Sequence, residues 1–405
     1  MKLCVKYRIN PNPEQEETLQ KLGFYATKLY NTDNYIRRQR WDETGKIPNW
    51  YEQKKLLKDN HWYKLLPSQT AQQICKNLQE NYKSWFKLRK TDKDARPPLF
   101  RKKSRLSPLS FYQQFKINGN IITFTMSKKF RKETGTDKLS FEINKWKNIR
   151  GLPKMCNIIY EDNKWMTHIV YEVPEKKLNN YPEVMAVDIG IINLATTTDT
   201  KGNSTIYSGG QALAVQHYFN KEIAKVQSKT MKQYNRKGSR AITQMHKKKI
   251  RQINQIIHTV TKEVIKEAEK NKVGTIVVGD IKNIRKDKCW NKKSGQKLHS
   301  WGFAKLISQI EYKSKLSGIR MVKISERDTS KTCSVCGMVK KSNRKYRGMY
   351  RCKICENKMN ADVNGARNIL KKYLQDNDLS RSIGSVVEPS IWRCYNVVQI
   401  GRAHV

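Results

Sequence analysis

Apolar and polar residues alternate at the start of the chain, and the period then changes. The alternation predicts a half-buried strand, because successive side chains of a strand point to opposite faces; it runs through Val5, Lys6, Tyr7, Arg8 and Ile9. Beyond Pro13 apolar residues recur at steps of three and four, which is the period of a helix with one buried face. The same period returns after Ser68. We therefore predict a helical domain over residues 13–95.

Short runs typical of strands follow this helical segment. Arg96-Pro97-Pro98 interrupts the helical pattern, since proline cannot continue a helix. From Phe100 to Val173 β-branched and aromatic residues form short runs such as Ile121-Ile122-Thr123-Phe124. We expect the first strand and these runs to form one β-rich domain, residues 1–12 and 96–180, into which the helical domain is inserted.

Two apolar strands and a long basic helical stretch distinguish the rest of the chain. The strands are Val184–Gly190 and Thr275–Asp280, and in each an apolar run leads to an aspartate, Asp188 or Asp280. The stretch between them carries a heptad-like seam of isoleucine and valine from Ile250 to Val264. We expect Gly238 to divide it into two helices. This alternation of strands and helices predicts an α/β fold.

The charge of the chain adds a partner to this picture. The 405 residues include 81 Lys and Arg against 35 Asp and Glu, a formal net charge of +46. Like charges at this density repel one another in a compact state, and counterion release makes nucleic acid the expected partner. The basic helical stretch is a candidate for phosphate contact through Lys247, Lys248, Lys249 and Arg251.

The composition also excludes two other classes of protein. With 9 Trp, 19 Tyr and 10 Phe, the chain has too many aromatic residues for a disordered basic polymer. No run reaches the roughly 18 apolar residues of a membrane span, and the first residues lack the apolar core of a secretory signal. We expect an intracellular, cytoplasmic protein with no membrane partner.

Four of the nine cysteines form a metal-binding pattern. Cys333 and Cys336 form one C-x2-C pair, and Cys352 and Cys355 form another. Two such pairs can bring four thiolates to one tetrahedral Zn²⁺, which then folds a short ribbon that has no core of its own. Four protein ligands leave no open coordination position, so we expect a structural zinc. A redox pair or unrelated thiols are the alternatives.

Three carboxylates stand out in so basic a chain. Asp188 ends the first apolar strand, Glu326 follows the strand-like run from Arg320 to Ile324, and Asp362 lies shortly after the last cysteine pair. Carboxylates from separate elements can hold two Mg²⁺ ions, which stabilise the attacking and the leaving oxygen of a phosphodiester cleavage. Taken singly, each could equally be a cap or turn residue.

Three segments together resemble the TnpB proteins of bacterial insertion sequences, RNA-guided nucleases related to the type V CRISPR effectors. The segments are Asp188-Ile189-Gly190-Ile191-Ile192-Asn193-Leu194-Ala195, Thr329-Ser330-Lys331-Thr332-Cys333 and Asn360-Ala361-Asp362-Val363-Asn364-Gly365-Ala366-Arg367-Asn368-Ile369. The resemblance covers most of residues 1–375. It implies an α/β multidomain protein: a RuvC-like RNase H fold nuclease core with an inserted zinc ribbon, preceded by a wedge-type β-barrel with an inserted helical recognition domain.

The resemblance also implies domain boundaries and a role for the carboxylates. The nuclease domain would comprise residues 181–330 and 358–375, and a ribbon that binds target nucleic acid would comprise residues 331–357. We expect the tail, residues 376–405, to be disordered. Asp188 and Asp362 match the first and third carboxylates of the RuvC-like site.

The second carboxylate departs from the family pattern. Family members commonly place Glu directly after the strand equivalent to Thr275–Val278, where this chain has Gly279. Asp280 is adjacent, but neighbouring strand residues point to opposite faces. Glu326 is similar to the relocated glutamate of a rearranged subgroup, and we predict that it completes the site. Asp280, or an incomplete site, is the alternative.

The function that the resemblance implies is an RNA-guided, Mg²⁺-dependent DNA endonuclease encoded by a transposable element. Its partners would be a guide RNA from the end of the element and target double-stranded DNA, cut beside a short motif. Candidate residues for reading that motif are Arg37, Arg38 and Arg40. Candidates for contacts with nucleic acid near the nuclease site and on the ribbon are Arg327, Lys331, Arg344 and Arg347.

Two other functions stay open at this point. Because of Gly279, the chain could be a guided DNA-binding repressor without nuclease activity. It could also be a strand-transfer transposase, although the sequence offers no Tyr or Ser nucleophile motif. We expect a monomer that acts at the bacterial nucleoid, with a dimer as the alternative.

Overall fold

The computed structural model describes residues 1–102, 104–280, 302–346, 348–379, 382–385 and 388–394. The chain divides into two units, Met1–Pro174 and Glu175–Val405, and each is described by itself. No described helix is both long and apolar enough to cross a bilayer.

Four helices follow the first strand of the first unit. The alternating segment forms β1 (Lys2–Ile9), and the helices are α1 (Pro13–Thr44), α2 (Trp50–Leu57), α3 (His61–Leu65) and α4 (Ser68–Arg89). α1 starts where the sequence predicts, because the Asn12 side chain accepts from the Gln15 backbone N–H and the Gln15 side chain accepts from Asn12. It ends at Gly45, whose φ of 65° is left-handed.

The remaining strands of the first unit form two antiparallel sheets. The elements are β2 (Leu109–Phe111), β3 (Phe115–Asn118), β4 (Ile121–Thr125), α5 (Lys128–Thr134), β5 (Lys138–Glu142), β6 (Leu152–Glu161) and β7 (Lys164–Glu172). One sheet has the order β1-β7-β6-β2 and the other β3-β4-β5. β1 precedes the helices in sequence and β7 follows them, yet the two strands pair from Lys2 to Ile9.

A six-stranded sheet forms the centre of the second unit. Its strands are β8 (Glu183–Asp188), β9 (Asn193–Asp199), β10 (Ser204–Ser208), β11 (Val273–Asp280), β12 (Arg320–Ser325) and β16 (Ser390–Trp392). The order is β12-β11-β8-β9-β10-β16. β12, β11 and β8 are parallel, and β9 runs antiparallel to both of its neighbours. The parallel strands end at one edge, where their last residues meet.

Helices cover both faces of this sheet. One face carries α6 (Gly210–Tyr234), α7 (Arg240–Lys270) and α8 (Phe303–Ser317), and the other carries α9 (Ala361–Asp376). Gly238 lies between α6 and α7, as the sequence predicts. The predicted seam of α7 is buried at Ile257, Val260 and Val264, but Ile250 is exposed. On the N-terminal side of Ile253 the residues of the seam are therefore no longer part of the core.

A small three-stranded ribbon joins β12 to α9. Its strands are β13 (Arg344–Tyr346), β14 (Met349–Arg351) and β15 (Lys358–Met359), preceded by a 3-10 turn at Lys341–Asn343. Part of the tail is ordered, contrary to the expectation of a disordered tail. Ser390–Trp392 form β16, which pairs in parallel with β10, because the edge of that strand would otherwise be open.

Candidate active site

Asp188 ends β8 on the face of the sheet that α9 covers. Val184 and Ala186 pack against α9 on this face, and strand alternation turns Asp188 to the same side. Gly365 of α9 allows the helix to approach closely, since a Cβ there would lie 2.7 Å from Oδ2 of Asp188. The carboxylate thus lies between the strand end and a helix whose glycine makes room for it.

Glu326 occupies the place that β11 leaves open. Val277 packs on the α9 face, so Gly279 has the same orientation and Asp280 the opposite one. β11 and β12 pair with Gly279 opposite Ile324 and Asp280 opposite Ser325, and Glu326 follows directly. A Cβ on Gly279 would overlap the carboxyl group of Glu326. The absent side chain on β11 is therefore what makes room for the glutamate after β12.

Asp362 lies in the first turn of α9 and is fixed by its neighbours. The Asn360 side chain caps the helix by accepting from the backbone N–H of Asp362 at 2.9 Å. Asn193 Nδ2, at the start of β9, donates to Oδ2 of Asp362 at 2.7 Å. Arg344 of the ribbon pairs with Oδ1 at 3.4 Å. Sequence reasoning missed Asn193, although it lies within the segment quoted for Asp188.

Burial and neighbouring carboxylates raise the pKa values of Asp188 and Glu326. Burial, together with the charges of Glu326 and Asp362, raises the pKa of Asp188 to about 8. Burial and the charge of Asp280 raise the pKa of Glu326 to about 7. Within the described residues nothing donates a hydrogen bond to Oε1 of Glu326. Repelling carboxylates with a buried, unpaired oxygen are suited to a hard cation, which accepts oxygen ligands.

The four cysteines of the ribbon are gathered more tightly than these carboxylates. In the described part of the chain, only Cys333, Cys336, Cys352 and Cys355 form a group whose ligand atoms all lie within 4.8 Å of one another. The Sγ atoms of Cys333 and Cys355 are 3.7 Å apart, and those of Cys336 and Cys352 are 3.6 Å apart. Backbone N–H groups lower the pKa of Cys352 to about 6, which favours its thiolate. This set fits one zinc ion.

Two asparagines of α9 attach the ribbon beside the carboxylates. The Asn364 side chain accepts from Ser334 N at 2.9 Å and donates to Thr332 O at 2.8 Å. Asn368 Nδ2 also donates to Thr332 O, at 2.7 Å. Both asparagines are buried, so neither is available to a ligand. The sequence segment that resembles the family thus contains residues that position the ribbon, a role that the sequence alone did not reveal.

Arg37 was predicted to contact nucleic acid, and this prediction is wrong. Its side chain is fully buried and forms an ion pair with Asp33 at 2.8 Å. It also donates to the carbonyl oxygens of Pro48 and Cys75. Every nitrogen of the guanidinium is therefore used inside the helical segment. The helical period could have shown this, because Arg37 lies four residues after Asp33 on one face.

The other predicted contact residues of the first unit differ in exposure. Arg38 is half-buried, donates to Pro98 O at 2.7 Å and lies 4.6 Å above the Phe100 ring. Arg40 is exposed.

The predicted basic residues of the second unit also differ. On α7, Lys248 and Arg251 are exposed, and Lys247 is half-buried. Lys249 leans onto α6 and donates to Asn220 at 3.1 Å, and burial lowers its pKa. The Arg327 side chain is 88% exposed, whereas Lys331 pairs with Asp328 at 3.0 Å. Arg347 lies outside the described residues.

A basic and aromatic groove in the first unit was not predicted. It encloses about 720 Å³ between α4 and the segment from Arg96 to Arg105. Leu99 is 66% exposed and Phe100 is 48% exposed, which is unusual for such large apolar side chains. None of its described cations, Arg96, Arg101, Lys102 and Arg105, forms an ion pair within the part of the chain that the structure describes.

Three family models match the chain in separate regions. The family described as "Probable transposase", OrfB of IS605, matches residues 168–285, and "Cas12f1-like, TNB domain" matches residues 303–369. A "Helix-turn-helix domain" model of the same transposase family matches residues 1–46. In the structure these last residues form β1 and the single helix α1 rather than a helix-turn-helix.

Curated relatives match nearly the whole chain. "TnpB-like protein ORF457" of Acidianus two-tailed virus is 26% identical, over 90% of this chain and 85% of that protein. "Putative RNA-guided DNA endonuclease InsQ" of Escherichia coli K12 is 24% identical, over 90% of each. The solved Cas12f1–sgRNA–target DNA complex is similar in structure, with a TM-score of 0.63 and 16% identity over 91% of this chain and 98% of that one. This likeness shows the fold, and it confirms the predicted α/β class.

Proposed function

We propose that this chain, which is similar to a TnpB-like protein and to a putative RNA-guided DNA endonuclease over 90% of its length, is an RNA-guided DNA endonuclease associated with a transposable element. The family models, which include a transposase family and a Cas12f1-like domain, support this proposal. The relative named as an RNA-guided DNA endonuclease supports it further.

The meeting of Asp188, Glu326 and Asp362 is the observation that carries the nuclease proposal. Glu326 and Asp362 are both near enough to raise the pKa of Asp188. Glu326 lies where a side chain of Gly279 would otherwise be. A guided repressor whose nuclease site has decayed would not need a buried carboxylate with an unpaired oxygen in this corner. We therefore favour Glu326 over Asp280 as the second carboxylate and a nuclease over a repressor.

The donor set fits Mg²⁺, and Asp188, Glu326 and Asp362 would hold it. When bound in such a set, Mg²⁺ supplies the Lewis acidity that activates a water molecule and stabilises the leaving 3′ oxygen of a phosphodiester. Asn193 holds one oxygen of Asp362 by its hydrogen bond and leaves the other to Arg344 or a cation. Arg344 also offers a positive charge beside the site, where it would be able to pair with a phosphate.

The four cysteines would hold a structural zinc ion that folds the ribbon. The ribbon would then present Arg344 to the nuclease site through its attachment at Asn364 and Asn368. In this proposal the ribbon, residues 331–357, lies between the two parts of the nuclease domain, residues 181–330 and 358–375. Residues 1–12 and 96–180 would form a wedge-type β-barrel, and residues 13–95 would form the recognition helices.

Nucleic acid would contact both units, and base pairing with a guide RNA would supply sequence specificity. The exposed residues Arg40, Lys248 and Arg251 are suited to phosphate contact. The groove between α4 and the segment 96–105 offers exposed aromatic and apolar surface, with cations that form no ion pair among the described residues, and is suited to single-stranded nucleic acid. We propose a monomer that acts in the cytoplasm at the nucleoid.

The test is a Mg²⁺-dependent cleavage assay on a guide-matched plasmid library, with protein that was purified together with the RNA of its element. We expect wild type to cut. Asp188→Ala, Glu326→Ala and Asp362→Ala should abolish cutting and leave RNA binding nearly unchanged, because phosphate contacts rely on Lys and Arg. Asp280→Ala is the matched control and should still cut.

Other outcomes assign the chain to the rival functions. RNA and matched DNA that bind without any cleavage by wild type would establish a guided repressor. Joined DNA ends in the products would establish a strand-transfer transposase. A Glu326→Ala variant that cuts at the wild-type rate would exclude Glu326 from the site.

A further inference from the structure

A second cavity lies in the unit that contains the carboxylates, and none of the three lines it. It encloses about 720 Å³ between the C-terminal half of α9, the first cysteine pair of the ribbon and the tail. Arg367 and Lys371 of α9, Ser334 of the ribbon and Gly384 of the tail are among the residues that line it. Three separate parts of the unit therefore form this cavity.

Arg367 lines this cavity, and its guanidinium is buried with unpaired nitrogens. The side chain is buried, with the residue only 5% exposed. Nη2 donates to Gly384 O at 3.0 Å, but among the described residues nothing accepts from Nε or Nη1. Burial lowers the pKa of Arg367, and in the described part of the chain no negative charge offsets this effect. Buried cations in proteins are normally paired, so a buried guanidinium with two unpaired nitrogens is suited to an anion.

The other residues around the cavity reinforce this requirement. Lys371 lies one helical turn after Arg367 and adds a second positive charge. Serine hydroxyls of the tail, Ser382 and Ser385, can donate as well. No Asp or Glu lines the cavity in the described part of the chain. The site thus has donors and positive charge, and it lacks a negative partner of its own.

We propose that this cavity binds a phosphate group through Arg367 and Lys371. The planar guanidinium matches two phosphate oxygens at once, and the ammonium adds a point charge. The proposal that the cavity binds phosphate is independent of the nuclease proposal. The further proposal that this phosphate belongs to a nucleic acid rests on the proposed function. The site would anchor a strand or its end beside the ribbon, apart from the carboxylates that carry out cleavage.

The first test measures thermal unfolding of the full chain in inorganic phosphate and in chloride at matched ionic strength. At ten times the dissociation constant, phosphate should raise the Tm of wild type by about 2–3 °C. Arg367→Met and Lys371→Met should lose this response. Lys229→Met is the matched control, because Lys229 is an exposed lysine of α6 and its removal changes the net charge equally. Its response should equal that of wild type.

The chloride data separate this proposal from a structural role of Arg367. A ligand-binding arginine without a partner is unfavourable when no ligand is present, so Arg367→Met should keep or raise the Tm in chloride. An arginine that only holds Gly384 should instead give a lower Tm in chloride and an unchanged response to phosphate. That result, or an equal response of all four proteins, would overturn the proposal.

A second arm identifies the source of the phosphate. We expect Arg367→Met to weaken binding of a single-stranded oligonucleotide and to lower the salt dependence of binding by about one counterion, and Lys229→Met to change neither by as much. If both variants bind the oligonucleotide equally but still differ in their Tm response to inorganic phosphate, the site binds free phosphate. Because no cleavage is measured, the result is independent of nuclease activity.

Discussion

Gly279 and Glu326 share one corner of the sheet, where a Cβ on the glycine would overlap the carboxyl group of the glutamate. The two positions lie on different strands, and only the pairing of β11 with β12 brings them together. A chain can therefore place the carboxylate of this corner on either strand, but only one side chain fits.

Gly279→Ala should displace Glu326 and lower the rate of cleavage. A shift of about 1 Å in a catalytic group can lower a rate by about 100-fold, and we expect a loss of that order. Single-turnover cleavage at saturating RNA measures it. Gly238→Ala is the control, because a Cβ at that position would have no described atom within 4 Å beyond its chain neighbours. Equal cutting by both variants would contradict the overlap.

Moving the carboxylate back to β11 should restore part of the activity. Glu326→Gly removes the glutamate and should be inactive, and Gly279→Glu alone should be inactive because two side chains compete for one space. The double variant should cut faster than either single variant. If the double variant cuts no faster than the weaker single variant, a glutamate on β11 cannot replace the glutamate that follows β12.

Acid should stabilise the Mg²⁺-free protein through Asp188 and Glu326. Their pKa values in the folded chain, about 8 and about 7, lie above the usual carboxyl range, so the folded state binds more protons than the unfolded state between about pH 4 and pH 8. Stability from these groups is present at low pH and is lost as the pH rises through that window.

Asp188→Asn isolates this effect, because the amide does not titrate. Thermal unfolding between pH 5 and pH 8.5, without Mg²⁺ and without chelator, should show wild type losing Tm relative to the variant as the pH rises. Added Mg²⁺ should remove most of the difference at pH 8, because a cation neutralises the repulsion. A difference that is constant across the pH range would contradict the raised pKa of Asp188.

Arg37 should matter for stability rather than for nucleic-acid binding. Arg37→Met leaves the Asp33 carboxylate buried without its partner, and breaking such a pair lowers the free energy of unfolding by about 3–5 kcal/mol. Urea unfolding measures this loss. Asp33→Leu with Arg37→Met should recover much of it, since an apolar pair has no charge to bury. Arg40→Met, at an exposed position, should leave stability unchanged.

Removal of zinc should unfold the ribbon and leave the central sheet folded. Cys352→Ser removes one of four ligands, whereas Cys4→Ser changes an exposed thiol outside the cluster. Wild type and Cys4→Ser should carry one zinc ion per chain, and Cys352→Ser should carry less. Hydrogen exchange should show lost protection at β14 in Cys352→Ser and unchanged protection at β8 and β11. Loss of protection throughout the unit would contradict an independently folded ribbon.

Cations of the groove in the first unit should bind the guide RNA. Arg96→Ala and Arg105→Ala should each lower RNA affinity and reduce its salt dependence by about one counterion. Lys21→Ala is the control in the same unit, because Lys21 is paired with Glu17 at 2.7 Å and is already neutralised. Equal losses of RNA affinity in all three variants would indicate that binding depends on total charge and not on the groove.

Local patterns in the sequence determined several features of this protein by themselves. The Asn12 cap, the strand over residues 2–9 and the two cysteine pairs depend on neighbouring residues, so their spacing predicts them directly. The end of β8 at Asp188 is equally local. These signals lie within one element, where the period of the backbone fixes which side chains share a face.

Tertiary structure decided what no local pattern contains. Glu326 fills the space beside Gly279, and Asn193 donates to Asp362; both contacts join positions that are distant in sequence. The burial of Arg37 depends on which face of its helix is covered. The strand in the tail likewise exists because β10 offers an open edge. Composition and spacing fix the residues that are available, but packing decides which of them meet, because burial and pairing are properties of the whole fold.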